Sequence, residues 1–168
     1  LFRSRRECRV LGADPIPPVQ LEQPLPHFFL GHALVGDQGV SLGYQSHSFD
    51  KLCGRVLTLA EVFAEQGVTL LMETGQETAE TLLAFLGEMK ARGAENIAVN
   101  FDPANMILYD MDDPIEALRA LAPHVKQVHV KDAKRTKVKG DWGEEVIVGT
   151  GEVDWNAFVR ILAEADFE

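Results

Sequence analysis

Three short apolar runs, each closed by polar residues, divide the middle of the chain. Val68-Thr69-Leu70-Leu71-Met72 ends on Glu73, and Ile97-Ala98-Val99-Asn100-Phe101 ends on Asp102. The third, Val125-Lys126-Gln127-Val128, runs into His129, Val130, Lys131 and Asp132. Such short apolar runs read as buried strands of a parallel sheet. Around them the hydrophobic period becomes helical. Leu52, Val56, Leu59, Ala60 and Phe63 predict the inner face of a first helix, with Gly67 as its cap. Leu82, Phe85, Leu86 and Met89 predict a second, ending near Gly93. Asp113, Pro114 and Glu116 mark the start of a third, with Ile115, Leu118 and Leu121 inward and Pro123 closing it. A last helix is capped by Asp154 and turns Trp155, Phe158, Ile161, Leu162 and Ala165 inward. Before it stands a basic loop, 131–141, with Lys131, Lys134, Arg135, Lys137 and Lys139. The predicted order, αβαβαβ–loop–α, is that of a parallel α/β protein.

The polar residues that close the runs recur at a regular interval. Glu73 and Asp102 are 29 residues apart, and Asp102 and His129 are 27 apart. That is one βαβ unit of roughly 30 residues. Residues at the carboxyl ends of successive parallel strands converge on one rim of the sheet, where chemistry collects. Glu, Asp and His together suit Mn, Mg, Co or Zn. Each also has a structural reading. Glu73 could cap a helix or pair with a lysine, Asp102 before Pro103 is a good turn residue, and His129 could be a half-buried histidine. Taken as a set at this spacing, they favour a metal site.

Composition sets the outer bounds. A chain of 168 residues, 46% hydrophobic, can bury a sizeable core but is shorter than a complete (β/α)8 barrel. A formal charge of −10 argues against a nucleic-acid or anionic membrane surface. No apolar run is long enough for a membrane span, and the start, LFRSRRECRV, lacks the apolar stretch of a signal peptide. Cys8 and Cys53 match no metal or redox spacing and suit a reducing cytoplasm. Residues 1–47, with Pro15, Pro17, Pro18, Pro24 and Pro26, read as an irregular N-terminal segment, in which HFFLGHALV at 27–35 could form one strand. Its His27, His32 and His47 read as loop or partly buried histidines rather than ligands. The α/β domain is expected over 48–168.

Four motifs, METGQETAETLL, NFDPANMILY, VHVKDA and GTGEVDW, resemble in order and spacing the sugar phosphate isomerase/epimerase family with the xylose isomerase-like TIM barrel. The resemblance covers roughly residues 50–168. It implies a partial (β/α)8 TIM barrel, with parallel strands and outer helices, incomplete at both ends. It implies a divalent metal held by Glu73, Asp102 and His129, with a fourth ligand, a Glu of the last strand, expected beyond Glu168; Glu152 is not that residue. The implied chemistry is proton transfer beside a carbonyl through an enediolate, with Glu73 as one acid/base and the last-strand Glu as its partner. The implied substrate is a sugar or sugar phosphate, with Asn105, Lys131, Asp132 and Trp142 as contacts. Asn105 stands where relatives often place a histidine; an amide binds a hydroxyl but is no acid. Impaired activity of these 168 residues is therefore expected, and open sheet edges would favour a homo-oligomer. Two alternatives are an endonuclease IV-like phosphodiesterase and a non-catalytic fragment. The first needs further His and Asp ligands, and the loop after His129 supplies no His. The glycines of GTGEV are too few to claim a phosphate cradle.

Overall fold

The computed structural model describes residues 47–138 and 140–167. Residues 1–46 of the expected irregular segment, with its 27–35 strand and the histidines at 27 and 32, lie outside the described residues, and residue 47 is helical rather than irregular. Helix α1 (His47–Glu65) leads into β1 (Leu70–Glu73), helix α2 (Ala79–Ala91) and β2 (Ile97–Phe101). Two short helices follow, α3 (Pro103–Leu108) and α4 (Pro114–Leu121), and a 3-10 turn, Ala122–His124, feeds β3 (Val125–Val128). Strands β4 (Asp132–Lys134) and β5 (Glu144–Val146) come next, and α5 (Trp155–Glu164) closes the order.

Strands β1, β2 and β3 pair in parallel, in sequence order. Leu70 to Glu73 face Ile97 to Asn100 in register, so Glu73 lies beside Asn100. Between β2 and β3 the register slips: Val99 faces Val125, but Asn100 faces Gln127. Lys126 is the extra residue of that bulge. Side chains alternate across the sheet. Met72, Val99, Phe101 and Val125 are buried against the helices with Phe85, Met89, Met106, Leu118, Leu121, Phe158 and Ile161. Phe85 meets Phe49 edge-on at 6.3 Å, and Phe101 leans on Phe158 at 6.1 Å. By the same alternation, Leu71, Glu73, Ala98 and Asn100 share the opposite face. This is the arrangement of a (β/α)8 barrel in part, with no closed barrel among the described residues.

Three expectations are corrected. Helix α1 turns Phe49, Leu52, Cys53, Val56 and Ala60 inward, while Leu59 and Phe63 remain exposed. The stripe starts from Phe49, one turn before Leu52, and 49-53-56-60 outcompetes 52-56-59-63. Second, one further helix, α3, starts immediately after β2, because Asp102-Pro103 caps a turn that continues to Leu108. Third, the basic loop is a hairpin: β4 and β5 pair antiparallel, Asp132 to Val146 and Lys134 to Glu144. Three-residue strands carry too little alternation to be seen in sequence. The Gly143 amide, donating to the Leu108 carbonyl at 2.8 Å, ties the hairpin to the end of α3.

Asp132 is also placed differently from a substrate contact. It is wholly buried, and its carboxylate accepts from the amides of Ala133, Gly149, Gly151 and Val153 and from the Trp155 indole, at 2.9–3.2 Å. Burial pushes its pKa up, but the indole and the amides of Val153, Gly151 and Gly149 outweigh that and leave it lowered. The glycines of GTGEVDW therefore cradle an anion, and the anion is the chain's own. A Cβ on Gly151 would stand 2.0 Å from the Asp132 Oδ1 and 2.6 Å from the Ala133 carbonyl oxygen, so only glycine fits.

Breaking that cradle is expected to be expensive. Asp132→Asn sets an NH2 against donors and should lower stability by about 3 kcal/mol, read as a fall in denaturation midpoint. Gly151→Ala should lower it comparably. Wild-type midpoints in both variants would show that the carboxylate does not hold the motif.

Candidate metal centre

Each residue of the expected triad ends one strand of the sheet. Glu73 is the last residue of β1, Asp102 follows β2, and His129 follows β3, its amide donating to the Phe101 carbonyl at 2.8 Å. One ligand atom from each lies within 4.8 Å of the others. The His129 Nδ1 stands 3.2 Å from the Asp102 Oδ2 and 3.4 Å from the Glu73 Oε1. Two carboxylate oxygens and an imidazole nitrogen form a donor set that suits a divalent cation. Three such donors would also leave positions open around a cation, as catalytic metal sites do.

Asp102 shows why the set is rigid. Its Oδ1 accepts from the Ala104 and Asn105 amides, at 2.9 and 3.3 Å, and caps α3. The turn-residue reading is borne out through Oδ1, and Oδ2 is left facing the cluster. Capping fixes the carboxylate so that Oδ2 points at the cluster. Thr74, just after Glu73, locks the two strand ends: its hydroxyl accepts from the Asp102 amide at 2.8 Å and donates to the Asp102 carbonyl at 3.2 Å.

The remaining expected residues separate into roles. Asn105 is buried, and its amide donates to the Glu73 Oε1 at 3.3 Å and to the Thr74 carbonyl at 2.8 Å. It is placed to hold Glu73. Lys131 belongs to the cluster: its Nζ lies 3.2 Å from the Asp102 Oδ2 and 3.1 Å from the Glu145 Oε2. Burial pulls its pKa down, but Glu145 and Asp102 more than offset this, so the ammonium stays charged. Trp142 is 68% exposed and stands edge-on to Tyr109, 5.3 Å between ring centres. Burial raises the Tyr109 pKa; Lys131 opposes the rise, and Asp102 and Glu73 add to it. Tyr109 thus lies near enough to the cluster to feel its charges, and Trp142 stands against Tyr109.

Sequence reasoning missed Thr74, Asn100 and Tyr109. Nothing in their types or spacing singles them out, because they matter only once the strands pair. The same is true of Glu77, in the loop after β1. It is 1% exposed, its Oε1 accepts from the Gly75 amide at 3.1 Å, and its Oε2 has no partner.

A model of the xylose isomerase-like TIM barrel matches residues 19–168. The chain belongs to that family. The match begins ahead of residue 48, the expected start of the domain. Among solved structures, the xylose isomerase domain protein from Planctomyces limnophilus aligns with a TM-score of 0.71 and 38% identity, over 77% of this chain and 47% of that one. A xylose isomerase-like TIM barrel protein from Mycobacterium smegmatis, in complex with magnesium, aligns with a TM-score of 0.59 and 20% identity, over 70% of this chain and 40% of its own. An inosose dehydratase of Clostridium botulinum is 23% identical over 159 residues, 82% of this chain and 52% of its own length. The chain spans 31–52% of the length of the curated relatives it matches. No helix among the described residues is long and apolar enough to cross a membrane.

Glu77 generates a pH prediction. Burial raises its pKa from 4.5 to about 7, against the weaker opposing effect of the Gly75 amide. Between those values the folded state holds a proton that the unfolded state has lost, so stability falls as pH rises through that window. The group should cost on the order of 3 kcal/mol between about pH 5 and pH 8. Glu77→Gln keeps an acceptor for Gly75 and should melt higher than wild type near pH 8, with little difference near pH 5. Parallel melting curves for the two proteins across that range would contradict the assignment.

Proposed function

We propose that the Glu73–Asp102–His129 cluster holds a divalent cation in a sugar isomerase or epimerase. The observation that carries this is the meeting of the Glu73 Oε1, Asp102 Oδ2 and His129 Nδ1 at one rim of a parallel sheet. Mn, Mg, Co and Zn all suit such donors, and the magnesium of the Mycobacterium relative supports the reading. A cation bound there would polarise a carbonyl and an adjacent hydroxyl of a small polyhydroxylated substrate. The chain's own contribution is positioning and proton transfer. Asn105 fixes one oxygen of Glu73, whose side chain is 39% exposed and so open to a substrate. Glu73 would take the proton from the carbon beside the carbonyl. Lys131, held between Asp102 and Glu145, would face a substrate hydroxyl or phosphate as a fixed positive charge. Trp142, exposed with Tyr109 beside it, would offer a flat apolar surface to the substrate.

A second reading, dehydration, is favoured by the inosose dehydratase relative. It begins with the same proton abstraction. The paths divide afterwards: in one a proton returns to carbon, while in the other a neighbouring hydroxyl leaves as water and a double bond remains.

Calorimetric titration of the 168-residue chain with Mn(II) should show weak binding that His129→Ala abolishes. His124→Ala should bind as wild type, since His124 precedes β3 at the sheet's other end. Equal loss in both variants, or no binding by wild type, argues against the metal site. For the chemistry, a chain carrying these residues within a complete barrel should exchange a ketose or inosose α-proton with deuterium from solvent. Glu73→Gln keeps the shape, removes the base and should slow that exchange by roughly two to four orders of magnitude. An exchanged product that retains every hydroxyl identifies an isomerase or epimerase, and one that has lost water identifies a dehydratase. Exchange at wild-type rate in Glu73→Gln would remove Glu73 from the role.

A further inference from the structure

The ring of His129 has two nitrogens with different neighbours. Nδ1 faces the Asp102 and Glu73 carboxylates. Nε2 faces the side-chain amide of Asn100, whose Nδ2 is 3.2 Å away. An amide NH2 only donates, so Nε2 accepts there and the ring proton sits on Nδ1, directed at the carboxylates. A nitrogen that carries a proton has no lone pair to offer a cation. For Nδ1 to become a ligand the proton must sit on Nε2, and an Nε2–H would then meet the Nδ2 hydrogens, donor against donor.

Asn100 carries the remedy in the same group. Its Oδ1 is buried without a hydrogen-bond partner, and the residue is only 9% exposed. The two ends of the amide are nearly equal in size, and its terminal torsion is roughly two-fold. Half a turn brings Oδ1 onto Nε2 with little change in the space the amide fills. Oδ1 gives up no hydrogen bond by the exchange, and its bond with Nε2–H replaces the one that Nδ2 makes there. The residue cannot drift from the ring, because it is paired in the sheet with Glu73 on one side and Gln127 on the other.

We infer that Asn100 is a positioning residue for His129: its buried amide turns to accept the Nε2 proton and so frees Nδ1 to bind a divalent cation. This rests on the metal-site reading above and adds to it the residue that sets the ring's tautomer. Histidines that bind metals generally give their other N–H to such a partner, and losing the partner commonly weakens binding by roughly 10- to 100-fold.

The test reads the proton's position as well as affinity. In the 168-residue chain with 15N-labelled histidine, long-range proton–nitrogen spectra should place the His129 proton on Nδ1 without metal and on Nε2 with Zn(II). Asn100→Leu, of similar size but without a polar end, should bind Mn(II) roughly 10- to 100-fold more weakly. Asn100→Asp, which only accepts, should carry the proton on Nε2 even without metal and keep or improve affinity. Should the leucine variant fail to fold, the wild-type spectra and the aspartate variant still decide. A proton on Nε2 in the metal-free wild type overturns the turning of the amide, and a folded Asn100→Leu that binds as wild type overturns the role of Asn100; neither touches the metal site. No Zn(II)-dependent change and no Mn(II) binding in wild type overturn the metal site and this inference with it.

Discussion

A carboxylate with no exposed surface must find its partners inside the protein, and Asp102 finds four. Two are amides at the start of α3, and two are the His129 ring and the Lys131 ammonium. Stripping water from an ionised carboxylate costs several kcal/mol, so neither half of this arrangement stands without the other. The dipeptide Asp102-Pro103 starts it: proline suits the first helical position and has no amide hydrogen, so the Asp102 oxygen goes to the next two amides. That cap starts α3, α3 carries Asn105, and Asn105 reaches back to Glu73 and to the Thr74 carbonyl. One capping oxygen thereby links β1, β2 and the cluster.

Asp132 solves the same problem without chemistry. Its carboxylate is as buried as that of Asp102, yet its recorded partners are four amides and an indole of its own chain. The contrast separates the two acids. An oxygen surrounded by backbone amides is spoken for by the fold, whereas the Asp102 Oδ2 meets only side chains that can move. That difference, rather than residue type, leaves an oxygen of one acid open to a cation and makes the other acid an anchor.

Sequence showed the strands and the triad because both rest on spacing. Apolar runs at one βα unit's interval place Glu73, Asp102 and His129 at three strand ends, and the structure has them there. The inner faces of α2 and of most of α5 followed for the same reason, from a 3.6-residue period. What depends on pairing stayed hidden. Asn100 sits inside an apolar run and looks like an interruption of it until the register sets it beside Glu73. Glu77 looks like an ordinary loop acid until the loop buries it. Lys131 and Asp132 are adjacent and equally polar, but strand alternation sends one into the cluster and the other under the hairpin.

The charges of the site frame what it can hold. Glu73 and Asp102 bring two negative charges against the one positive charge of Lys131, and neutral groups fill the gaps: the Thr74 hydroxyl and the amides of Asn100 and Asn105. Asn105 holds the Glu73 carboxylate, Thr74 the Asp102 backbone and Asn100 the His129 ring, and none of them cancels a carboxylate charge, as a second ammonium would. Lys131 and the His129 Nδ1 both approach the Asp102 Oδ2, so a cation arriving at that oxygen meets an ammonium 3.2 Å from it. Like charges that close repel strongly in a partly dry site. Lys131 already has its other partner, Glu145 of β5, at 3.1 Å, so it can give up the Asp102 oxygen and remain paired. The hairpin that sequence left as a basic loop thus supplies the acid that lets the lysine stand beside the centre without filling it.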